Sequence, residues 1–137
     1  MRRLVPICIL AFIFVGVLGA CSFTRGTPDR EETFKVADGE CTAAWWLEPL
    51  VDDVPDEATA VADHALTEAT VSTAEREEWK EIVLDSQSGD RQISQSQLEG
   101  HAYIEVVREH VRSDLQEAGY PDAPTRIIEV YSDLQCT

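Results

Sequence analysis

The chain has 137 residues, with 11 Lys and Arg against 26 Asp and Glu and a formal net charge of −15 at pH 7. That length supports one modest domain around one core. The charge argues against nucleic acid, whose phosphates would repel it, and against a surface patch that grips anionic lipid. It suits solubility, divalent cations or a basic protein partner.

The chain opens on Arg2 and Arg3, followed by an apolar run over residues 4–20 that ends in Leu18-Gly19-Ala20 before Cys21. A basic start, an apolar stretch and small residues ahead of a cut site make an export signal. The run, of about 17 residues, is at the short limit for a membrane span, and the small residues favour cleavage over a retained helix. Leu18-Gly19-Ala20-Cys21 resembles the lipobox of bacterial lipoproteins, a resemblance confined to residues 1–21. It implies that residues 1–20 are a signal peptide and that Cys21 is lipidated and becomes the mature N-terminus. The protein then sits on the extracytoplasmic side of the cell membrane, held by that lipid. The mature part keeps 9 Lys and Arg against 26 Asp and Glu, a formal balance of −17.

Of the four cysteines, Cys8 lies in the signal and Cys21 carries the lipid in this reading, leaving Cys41 and Cys136. An exported compartment permits disulfides, and two thiols allow one intramolecular pairing. No CxxC or close His-Cys pair offers a metal site instead.

Residues 21–39 mix Ser, Thr, Gly, Pro and charge without sustained periodicity and read as a flexible tether, although Phe34-Lys35-Val36 allows a short edge strand. Asp38-Gly39 signals a turn. Cys41 to Leu47, with adjacent Trp45 and Trp46, reads as a strand, with a helix as the alternative because of Ala43 and Ala44. Asp56 to Ala69 places Ala58, Val61, Ala62, Ala65, Leu66 and Ala69 on one helical face. Ser72 and Glu75 form a capping box for a second helix over 73–86, on which Trp79, Ile82, Val83 and Ser86 share a face. Gly89-Asp90 lies in the segment that ends it. Ser94 and Gln97 offer another capping box, for a longer helix over 95–118. Its main stripe is Tyr103, Ile104, Val107, Val111, Leu115 and Ala118, and Leu98, Ala102 and Val106 make a second, so this helix is central to the fold. Gly119 stands where a C-terminal cap belongs. Residues 120–124 read as a rigid loop, and 126–132 as a strand rich in β-branched and aromatic residues.

The chemistry-bearing residues mostly have structural readings. His101, Glu105 and Glu109 are spaced four apart, but Arg108 and Arg112 lie beside them, so Glu105 with Arg108 and Glu109 with Arg112 make ion pairs on a solvated face. His110 borders the main stripe as a half-buried packing residue. Asp52, Asp53, Asp56 and Glu57 surround Pro55, where a calcium loop would need Gly, and read as a solvated acidic loop. Trp45 and Trp46 point to opposite faces of a strand, so one of them is a candidate to stack on a sugar or anchor a partner. No nucleophile-elbow, S-x-x-K, phosphate-loop or dinucleotide-binding pattern is present.

The expected fold is therefore α+β: about three helices packed on a small antiparallel sheet made by an N-terminal and a C-terminal strand, residues 40–137 forming the single globular domain. The alternative is a mainly α bundle. If 41–47 and 126–132 pair antiparallel, Cys41 comes beside Cys136. No catalytic residue, cofactor or metal ligand is assigned. The expected role is non-catalytic binding by an envelope lipoprotein whose partner is a basic protein or an envelope ligand. The alternatives are an acidic inhibitor or immunity-type protein against a basic enzyme, and a surface hydrolase.

Overall fold

The computed structural model describes residues 26–87, 93–120 and 126–137. Residues 1–20, Cys21, Gly89-Asp90 and the loop at 121–124 lie outside them. In chain order the elements are β1 (Arg30–Val36), β2 (Gly39–Pro49), α1 (Asp56–Glu68), α2 (Thr73–Ser86), α3 (Gln95–Glu117) and β3 (Ile128–Cys136).

The sheet corrects the expected fold. It has three antiparallel strands in the order β1-β2-β3, so β2 is its central strand and not its N-terminal edge. The all-helical alternative falls with it. The added strand β1 occupies part of the segment read as a tether. It was hidden because its inward positions are Arg30, Glu32, Phe34 and Val36, an alternation that looks polar until the two charges are paired. Arg30 Nη2 meets Glu32 Oε2 at 2.5 Å, and Arg30 Nη1 donates to the carbonyls of Leu66 and Ala69, both at 2.8 Å. The guanidinium thereby satisfies carbonyls left over where α1 ends. The C-terminal strand is also displaced: it starts at Ile128 and runs on to Cys136, past Asp133, which lies on the open face and does not stop it.

Helix α3 runs across the inner face and packs on α1, α2 and all three strands. Its main stripe, Tyr103, Ile104, Val107, Val111 and Leu115, joins the core cluster with Trp45, Leu66, Ile128 and Val130, whereas Ala118, expected to continue the stripe, is the exposed C-cap beyond the last turn. Leu98, Ala102 and Val106 are buried outside that cluster, toward α2. The alanine face of α1 is buried throughout, and small side chains there let the two helices approach closely. On α2, by contrast, Val83 is buried while Ile82 is 44% exposed, which corrects the face expected for that helix. Gly119 caps α3 at φ +93°, and the N–H of Tyr120 returns to the carbonyl of Leu115. That left-handed conformation is one that only glycine adopts without strain.

Cys41 and Cys136 are directly opposed in the β2–β3 register and are joined by a disulfide, with Cα atoms 4.0 Å apart. Gly100 of α3 lies over this bond. A Cβ at that position would stand 2.8 Å from Leu134 Cδ2 and 3.2 Å from Cys41 Sγ, so the absence of a side chain sets how near the helix comes to the sheet.

The aromatic residues are organised around Tyr103. Its ring stacks on Phe34 at 3.9 Å between centroids, Arg76 lies 5.1 Å from the Tyr103 ring, and Arg30 lies 5.3 Å from the Trp45 ring. The hydroxyl of Tyr103 donates to Glu32 Oε1 at 2.8 Å. Burial first, and this bond second, push Tyr103 up from 10.0 to about 12. The folded state therefore holds this proton more tightly than the unfolded chain. Its stabilising contribution is whole below pH 10.0 and is lost as the pH rises through about 12. Spectrophotometric titration should show Tyr103 ionising last, near the alkaline unfolding transition, after Tyr120, which desolvation and Glu57 also raise. Tyr103→Phe should remove the step at about 12, and a step there that survives the substitution would contradict the assignment.

Candidate binding surface

The helices cover one face of the sheet. Alternation along the strands sends Arg30, Glu32, Phe34, Cys41, Ala43, Trp45, Ile128 and Val130 inward and leaves the opposite face to Glu31, Thr33, Thr42, Ala44, Trp46, Tyr131 and Asp133. The register aligns these outward residues in rows. Thr33, Thr42 and Gln135 form one row, with a 2.9 Å contact between the two threonine hydroxyls. Glu31, Ala44 and Asp133 form the next, in which two exposed carboxylates flank a small residue. Trp46 and Tyr131 are a cross-strand pair in the row after that.

The two tryptophans thus separate as their strand positions require. Trp45 is completely removed from solvent and serves the core, so its candidacy as a binding residue falls away. Its indole N–H has no hydrogen-bond partner among the described residues. Trp46 is half-buried on the outer face, and its Nε1 donates to the carbonyl of Gly26 at 3.2 Å. Asp29 Oδ2 accepts from the backbone N–H of Leu47 at 2.7 Å, fixing the chain's entry to the sheet beside the same row. Tyr131, the second aromatic residue on this face, was not singled out in the sequence. Its signal is positional and becomes legible only when the register puts it opposite Trp46.

The histidines have separate environments. His64 and His101 are exposed. The pairs Glu105–Arg108 at 3.2 Å and Glu109–Arg112 at 2.7 Å form as expected on the solvated side of α3, and Arg108 also reaches Glu129 of β3 at 3.5 Å. His110 Nε2 lies 3.2 Å from Glu75 Oε1 without the alignment of a hydrogen bond. Glu75 is the capping-box residue of α2: its Oε2 accepts from the N–H of Ser72 at 2.9 Å and from its hydroxyl at 2.8 Å. Those bonds to Ser72, with a smaller contribution from His110, hold its carboxyl below the ordinary value of 4.5. The stability it contributes is therefore present above 4.5 and fades as the pH falls through the lower folded value.

A cleft between α2 and α3 brings His110 and Glu75 together with Trp79, Glu109 and Ser113. Its volume is about 230 Å³, below the roughly 300–1,000 Å³ of ordinary small-molecule sites. Among the described residues no serine, threonine or cysteine is hydrogen-bonded to His110. A second cavity, beneath Arg108, Arg112 and Arg126, holds about 30 Å³, room for roughly one water. Among the described residues no three His, Cys, Asp or Glu side chains converge on a metal position, and no helix is long and apolar enough to cross a membrane. No protein-family model, curated protein or solved structure matches the chain.

Proposed function

We propose that this protein is a lipid-anchored extracytoplasmic lipoprotein with a non-catalytic binding role, attached through Cys21 and engaging its partner with the open face of the sheet. The observation that carries the reading is the cross-strand Trp46–Tyr131 pair on a face that the helices leave uncovered. Aromatic side chains with an apolar body and a polar tip are what binding surfaces concentrate at their centres. An inhibitor or immunity-type role is the second reading. It is favoured by the exposed carboxylates of Glu31 and Asp133 beside Trp46, which complement a basic enzyme.

The anchoring half is tested by metabolic labelling with a fatty-acid probe. The wild-type chain should take up label and remain with the membrane fraction, and Cys21→Ala should lose both. Equal labelling of the two would contradict lipidation at this residue.

A further inference from the structure

We propose that the open face of the sheet docks a Lys- and Arg-rich segment of a protein held at the same membrane. This rests on the anchored, non-catalytic reading above and adds the occupant and its distance from the bilayer. The first argument is charge. The strand positions on this face carry Glu31, Glu40 and Asp133 against Lys35, while Glu48 and Glu129 have partners of their own, Glu129 pairing with Arg108 and Arg126. Glu31 and Asp133 stand exposed on either side of Ala44, next to the row of Trp46 and Tyr131. Ala44 itself is buried, so a cationic side chain meets this row at the two exposed carboxylates, and the neighbouring aromatic faces attract the same charge. A bilayer surface is a poor occupant, because anionic headgroups repel these carboxylates.

The second argument is reach. The Gly26 carbonyl is fixed to the Trp46 indole at 3.2 Å, and Gly26 lies only five residues beyond Cys21. A fully extended chain spans at most about 3.3–3.6 Å per residue, so the lipid attachment lies within roughly 18 Å of that carbonyl. The aromatic row therefore stays near the bilayer. A basic segment on a membrane-held protein meets it there at a high effective concentration, an advantage denied to a freely diffusing partner.

The test uses the full lipidated chain in phosphatidylcholine vesicles and a synthetic Lys/Arg-rich peptide, offered both free and with its own acyl anchor. Binding of the free peptide should weaken at least about tenfold in Trp46→Ala and, independently, in Glu31→Gln/Asp133→Asn. The Glu78→Gln/Glu81→Gln variant on α2 removes the same charge elsewhere and should bind within about twofold of wild type. Inserting about fifteen Gly/Ser residues after Ser22 should weaken binding of the anchored peptide roughly eightfold, from the −3/2 power of tether length, and leave the free peptide unaffected. Equal weakening by the two charge-neutralising pairs would overturn the site in favour of unspecific attraction. Binding of the chain to anionic vesicles through Trp46, without peptide, would make the membrane the occupant and overturn the proposal. If the lipid reading itself is wrong, the chain does not enter vesicles. That removes the membrane-held half of the proposal, while the free-peptide measurements still decide the face.

Discussion

A Cys41→Ala/Cys136→Ala variant is expected to lose about 4 to 5 kcal/mol of folding stability, the largest single effect in this molecule. The bond spans 95 positions, so it closes nearly the whole folded region into one loop. In the chain-entropy account, a loop of that length restricts the unfolded ensemble by about that amount. A small domain is stable by only about 5 to 15 kcal/mol in total, so the loss brings this one close to unfolding at ambient temperature. The sheet explains why the location matters. The bond fastens β3, an edge strand, to the central strand at the last pair of their register. Chemical denaturation of wild type and variant measures the effect. A difference below about 1 kcal/mol would mean that β2–β3 pairing holds this end without the bond.

Trp45→Ala is expected to cost about 3 to 5 kcal/mol, as large aromatic-to-alanine changes in cores do. Trp45 is fully buried, lies 6.3 Å from the Tyr103 ring and is faced by the Arg30 guanidinium. Truncation opens a cavity at the point where β1, β2 and α3 meet. It also strips Arg30 of its aromatic face, leaving that guanidinium to Glu32 and the end of α1. Trp45→Phe should cost far less, because the indole N–H it removes has no partner among the described residues. Trp46→Ala, on the open face, should shift the melting temperature much less than Trp45→Ala. Thermal melts of the three variants check this order, and equal losses at positions 45 and 46 would contradict the assignment of faces.

How much of this was legible in the sequence depended on whether a residue's role was local. The capping box of Ser72 and Glu75, the two stripes of α3 as far as Leu115 and the Gly119 cap are decided within a few residues and are readable from spacing, while at Ser94 only the serine's half of the box forms. The disulfide followed from elimination together with antiparallel pairing. What escaped was set by distant partners. Strand β1 turns a half-buried charged pair toward the helices, and Arg30 is satisfied by carbonyls 36 and 39 positions away, which no periodicity reveals. Tyr131 gains significance only from the register that places it opposite Trp46. Ile82 was assigned to a buried face because α2 was expected to bury a wider stripe than Val83 alone provides. The separation of Trp45 from Trp46 was foreseen, but which of them faced the core depended on the β2 register.

Cys41 and Cys136 close the domain, and in the proposed reading Cys21 is the anchor and the open face of the sheet lies close to it. The most direct single measurement is non-reducing peptide mapping by mass spectrometry of the full protein isolated from the membrane and alkylated before digestion. The predicted result is an N-terminal peptide beginning at a lipid-bearing, unalkylated Cys21, and a second species in which the Cys41 and Cys136 peptides are joined. Finding Cys21 alkylated inside an uncleaved N-terminal peptide, with Cys41 and Cys136 alkylated without prior reduction, would contradict it.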